Sequence, residues 1–153
     1  METTSIKAKG MPSTPRLLLG AVLAIGLAPG AGAGLSGPLA KTVAHGRDIF
    51  LHDTFGGRGM TCDSCHTEGG KGPTVVPGSS MKGPSLSNAA AVFPRYKQDD
   101  GRVLTLAEQI HGCISGALGG EAPAYGSDTM RALETYLTAL SQGKRIDMGG
   151  TYR

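Results

Sequence analysis

Apolar residues recur at helical spacing in two stretches toward the C-terminus and more loosely in one toward the N-terminus. In "DTMRALETYLTAL" (128–140), Met130, Leu133, Leu137 and Leu140 form one stripe with Tyr136 beside it. Ser127 stands ready as N-cap and Asp128 in the first turn, so the pattern predicts a helix that closes near Gly143. Upstream, Thr105 followed by Glu108 reads as a capping box ahead of "LAEQIHGCISGAL", and Gly119 and Gly120 end that segment. Leu106, Ile110, Cys113 and Ala117 fall at i, i+4, i+7 and i+11 and are expected to share its buried face, with His111 pointing away. "VAHGRDIFLHDTF" (43–55) carries Val43, Ile49, Phe50 and Phe55 and is predicted as a first helix ended by Gly56 and Gly57. "LSNAAAVFPRY" (86–96) suits a short helix that stops before Pro94. Residues 56–84 hold eight glycines and three prolines, so regular structure there must be brief. No alternating pattern runs longer than a few residues, and the expectation is an all-α domain of three to four helices joined by Gly/Pro-rich loops.

The first 33 residues read differently. Lys7, Lys9 and Arg16 precede the eleven-residue apolar run 17–27, and "AGA" at 31–33 supplies small residues at a cleavage-like site. This is the layout of a secretory signal peptide, and eleven apolar residues fall short of the ~20 that a membrane span needs. The expected organisation is signal peptide 1–33, flexible leader 34–42, folded domain 43–146 and C-terminal tail 147–153, with a periplasmic or secreted location and no stable membrane anchor. Of the 15 basic and 12 acidic residues, Lys7, Lys9, Arg16 and Glu2 lie in 1–33, leaving 12 and 11, a net of +1. Such a balance gives no reason to expect nucleic acid as a partner.

Large rings are scarce: three Phe, four Tyr and no Trp. A bulky apolar cofactor would supply the core that these side chains do not. Three cysteines in an exported chain are an odd number, so disulfide pairing alone does not account for them. Cys62, Cys65 and His66 form C-x-x-C-H, the signature of c-type haem attachment: two thioethers from the cysteines and an axial iron ligand from the adjacent His. A dithiol motif would want a βαβ context, and zinc would want a second ligand pair. For the second axial position the residues leave several candidates. Met81 sits in the loop "SSMKGP". Met60 is close to the motif, Met130 belongs to a buried stripe, and Met148 lies in the polar tail. His45, His52 and His111 would each give a bis-His site. Cys113 stands 47 residues after His66 on a capped helix, and reads equally as ligand or as a small buried hydrophobe.

"GRDIF", "CDSCH" and the terminal "SDTMRALETYLTAL" resemble the class I cytochrome c fold, which implies helices packed around one covalently bound haem. The stretch 93–146 is also similar to the haem domains of thiosulfate dehydrogenase and of SoxA, the haem subunit of a sulfur-oxidising system. The shared pattern is a helix of the form "L..QI..C", then a loop, then "S..M.AL..YL". The resemblance implies that Cys113 is the distal ligand, with Met81 the alternative, and that its sulfur takes part in thiosulfate oxidation in those families. A thiolate ligand stabilises ferric over ferrous iron and so implies a low reduction potential. Those families carry a second haem or cytochrome-like domain, and SoxA works with SoxX, so a catalytic site here implies a partner cytochrome subunit. The expected function is an exported monohaem cytochrome carrying single electrons in inorganic sulfur oxidation; the alternative is an enzyme subunit with Cys113 as its catalytic sulfur. Arg47, Arg58, Lys82, Arg95 and Lys97 are candidates for attracting an oxyanion such as thiosulfate.

Overall fold

A computed structural model describes residues 34–152; the expected signal peptide lies outside the described residues. Helix α1 spans Gly37–His52. It begins inside the stretch expected as a flexible leader, because Pro38 in its first turn gives up an N–H that no helix bond would use. It also ends before Phe55. Asp53 turns extended, and its carboxylate accepts from the Phe55 N–H at 2.7 Å, an Asx turn that competes with another helical turn. Phe55 still reaches the core, 8% exposed, from this turn with φ +52°.

A single turn, α2 (Cys62–Cys65), and two short ribbons follow: β1 (Thr74–Val75) with β2 (Lys82–Gly83), and β3 (Arg95–Lys97) with β4 (Arg102–Leu104). Between the ribbons lies the one-turn α3 (Ala89–Val92). The fold is mostly helical, and these ribbons are what an all-α reading omits. With two or three residues per strand, neither is long enough to show an alternating pattern in sequence.

Helix α4 (Leu106–Gly112) starts at the expected capping box: the Thr105 hydroxyl accepts from the Glu108 N–H at 3.2 Å, and Glu108 Oε2 accepts from the Thr105 N–H at 2.8 Å. At Cys113 it widens into a π-helical segment, Cys113–Leu118, that ends at Gly119 in the left-handed region. Ile110 is buried as expected, but the widening rotates the residues after it, so Ile114 and Leu118 are buried while Ala117 is exposed, a correction to the expected face. Helix α5 (Asp128–Leu140) is capped by Ser127, whose Oγ accepts from the Met130 N–H.

The main core joins Ile49 and Phe50 of α1, Ile110 of α4, Ile114 and Leu118 of the widened turn, and Met130, Leu133, Tyr136 and Leu137 of α5. Helices α1 and α5 approach closely at Gly46, which lies against the Ala132 carbonyl. The tail is tied down as well. Asp147 N–H donates to Ala91 O, Gly149 N–H to Val92 O, and Asn88 Nδ2 to Thr151 O at 3.0 Å.

Candidate functional site

The C-x-x-C-H segment folds as a tight turn. His66 N–H donates to Cys62 O at 2.9 Å, and the Thr61 N–H to Ser64 Oγ at 3.0 Å. Asp63 Oδ1 accepts from the Gly69 N–H at 2.6 Å, and the Gly69 carbonyl accepts from the Tyr136 hydroxyl at 2.6 Å. Gly69 has φ +64° and a Cβ there would lie 2.7 Å from that hydroxyl, so only glycine lets the loop reach α5. The motif is thereby fastened to the terminal helix.

Beside it opens a cleft of about 250 Å³. Its walls are apolar: Phe50, Leu86, Leu106, Ile110, Leu133 and Leu137 among them. Cys62 and His66 line one part and Cys113 another, so the turn and the widened helix face one space. Cys65 is half-buried and is not among the lining residues. Met81 is 70% exposed on the β1–β2 hairpin, outside the lining; Met148 is 67% exposed, and Met130 is fully buried in the core. His111 stacks on Tyr125 with centroids 5.0 Å apart, and His52 Nδ1 meets Asp48 Oδ1 at 3.0 Å on the surface.

The donor set suits an iron porphyrin. Thr74 Oγ1 donates its one proton to Pro84 O at 2.7 Å, so at its 3.0 Å contact with His66 Nδ1 it must accept. His66 is therefore protonated on Nδ1 and carries its lone pair on Nε2, the form that binds a metal. Burial lowers the His66 pKa, which also favours the neutral ring. Burial, with Cys113 nearby as the next cause, pushes the Cys62 thiol up to about 12. An apolar wall that disfavours a thiolate accommodates a neutral thioether. Cys113 Sγ instead has a donor, the Gln109 Nε2 amide at 3.3 Å.

Three residues at the cleft, Gln109, Thr74 and Tyr152, are not exposed by any motif in the sequence. Gln109 sits four residues before Cys113, and that spacing on a helix could have revealed it. Thr74 lies in a Gly/Pro-rich loop with no periodicity to expose it. Tyr152, from the expected tail, lines the cleft, packed on Phe93 with Arg95 over its ring at 5.3 Å.

A mostly helical domain with C-x-x-C-H at an apolar cleft and a neutral imidazole turned out from its turn defines a c-type cytochrome domain. Comparison with known proteins places it further: the family model "SoxA/TsdA, cytochrome c domain" matches residues 45–146, and the chain belongs to that family. It binds haem c covalently and is a monohaem cytochrome similar to the haem domains of SoxA and thiosulfate dehydrogenase. It is 34% identical over 113 residues to "Thiosulfate dehydrogenase" of Thiomonas intermedia (strain K12), covering 70% of this chain and 33% of the relative. Thiosulfate dehydrogenase (TsdBA) from Marichromatium purpuratum superposes with a TM-score of 0.58 at 26% identity, covering 80% of this chain and 27% of that one. SoxXA from P. pantotrophus does so with 0.53 at 26% identity, covering 77% and 41%. The chain spans about a third of the length of the curated relatives it matches, 33% for the Thiomonas protein.

Proposed function

We propose that this chain is an exported monohaem cytochrome that carries single electrons in the oxidation of inorganic sulfur compounds. The observation that carries the reading is the meeting of Cys62, His66 and Cys113 on one apolar cleft, in a member of a family whose relatives are named thiosulfate dehydrogenase. When bound, haem c supplies a one-electron acceptor whose potential its axial ligands set. In this reading Cys62 and Cys65 would tether the porphyrin, and His66 Nε2 and Cys113 Sγ would be the groups that hold its iron. Gln109 keeps the sulfur hydrogen-bonded, and the apolar lining keeps water off both donors. The signal-like 1–33 supports a periplasmic or secreted location. By the SoxA resemblance, a partner cytochrome subunit is the expected redox partner.

A second reading has a specific observation behind it. Cys113 faces the cleft from the helix that resembles the sulfur-bearing helix of the enzymes, so the chain could form the thiosulfate-oxidising half of a larger assembly. Joining two thiosulfates into tetrathionate releases two electrons, and a single haem takes them up one at a time. Steady-state thiosulfate oxidation with ferricyanide as acceptor, by the haem-loaded chain alone and with a second c-type cytochrome subunit added, decides between them. The carrier reading predicts one electron taken up per chain and no turnover. Sustained turnover that is lost in Cys113→Ser overturns it in favour of the enzyme.

A further inference from the structure

The polar groups around the cleft include one whose hydrogen is already committed. Thr74 opens β1 and pairs with Gly83 of β2, and an isolated bridge joins it to His66. Its hydroxyl stands between the His66 ring and the Pro84 carbonyl, at 3.0 and 2.7 Å. A hydroxyl that donates to a carbonyl is polarised and becomes a better acceptor. It therefore draws on the Nδ1–H of His66 and leaves more electron density on Nε2. A direct bond from the ring to the Pro84 carbonyl would do part of this, but the threonine sets both the distance and the direction. The ribbon fixes the threonine in turn, because its backbone is held in register with Lys82–Gly83.

We infer that Thr74 is the positioning residue for the proximal ligand, and that its hydroxyl relay to Pro84 O holds the haem reduction potential down. The inference rests on the proposed ligation of iron by His66 Nε2. Greater density on Nε2 favours ferric over ferrous iron, so removing the acceptor raises the potential. Outer-shell partners of metal-bound His change ligand behaviour by about 10–100-fold. At the lower end, a tenfold change in the ferric-to-ferrous ratio is about 59 mV for a one-electron couple.

The test is spectropotentiometric titration of the haem-loaded full chain in wild type, Thr74→Val and Thr74→Ser. Thr74→Val is expected to raise the midpoint by about tenfold in the equilibrium, and Thr74→Ser to return it to the wild-type value. Equal midpoints in wild type and Thr74→Val overturn the proposal, as does a Thr74→Ser midpoint that moves as far as that of Val. If Thr74→Val does not load haem, the His66 Nδ1–H in the wild-type ferrous protein answers instead. A slowly exchanging proton in ¹⁵N-histidine NMR supports the relay, and one that exchanges at the solvent rate refutes it. A parallel His66→Ala sample separates the two failures: an absorption spectrum identical to wild type removes His66 as ligand, whatever Thr74 does.

Discussion

Replacing Gly46 by alanine sets two effects of opposite sign against each other. In a helix interior alanine is favoured over glycine by about 1 kcal/mol. At this position, however, the new Cβ would lie 2.0 Å from the Ala132 carbonyl oxygen and 2.8 Å from Tyr136 Cβ. The first obstacle is backbone, so no rotamer change relieves it. Ordinary contact starts at 3.4 Å, so α1 and α5 must part by roughly 1.4 Å, beyond the 0.5–1 Å gap that already forfeits a quarter to a half of a dispersion well. The seam that opens holds Ile49 and Phe50 against Met130, Leu133 and Tyr136. Overpacking costs about 1–3 kcal/mol, and the rigid obstacle places this case at the upper end, leaving a net loss of about 2 kcal/mol. For a folded part of this size that is a fall of about 10 °C in Tm, read by far-ultraviolet circular dichroism on the haem-loaded chain. Gly112→Ala is the control. Its Cβ meets nothing within 4 Å and its φ is −63°, so the helix preference alone should raise Tm by a few degrees. A Gly46→Ala protein melting at or above the wild-type temperature would refute the packing argument.

Other outcomes follow from single contacts. Tyr136→Phe leaves the buried Gly69 carbonyl without its hydroxyl donor and should cost about 1–3 kcal/mol in chemical denaturation, while keeping the ring contact with Phe50. Thr105→Ala removes the cap of α4 and should cost about 1 kcal/mol by the same measurement. Glu108 is held down to about 2, chiefly by the Thr105 N–H and then by Arg102, so its folded pKa lies below its ordinary value of 4.5. Its contribution is therefore complete above pH 4.5 and is lost as pH falls toward 2; Glu108→Gln should flatten that part of the stability–pH curve. Met81→Leu should leave the absorption spectrum unchanged, since Met81 lies exposed on the hairpin away from the cleft.

What could be read from the chain depended on how local the cause was. The caps at Thr105 and Ser127 are side chains bonding to N–H groups three residues on, and both stand as the sequence implies. The α5 stripe is periodic, and Met130, Leu133 and Leu137 are buried accordingly. From Cys113 on, the buried face of this segment departs from the period in the sequence, because a switch to wider turns changes the period without changing the residues' apolar character. Phe55 is buried as its apolar character implies but is not helical, since one Asx turn outweighs its position in the run. At the site, Cys62, His66 and Cys113 stand out as residue types. Thr74 and Tyr152 owe their places to a ribbon of two-residue strands and to a tail held by Ala91 and Val92, contacts distant in sequence with no periodic trace.

In the proposed function Cys113 Sγ would hold the haem iron together with His66, both of which line the one cleft. Low-temperature paramagnetic resonance of the ferric, haem-loaded full chain, wild type beside Cys113→Ala, tests it most directly. A low-spin thiolate signal in the wild type that disappears in Cys113→Ala at equal haem content is the predicted result. Identical spectra from the two proteins would contradict it.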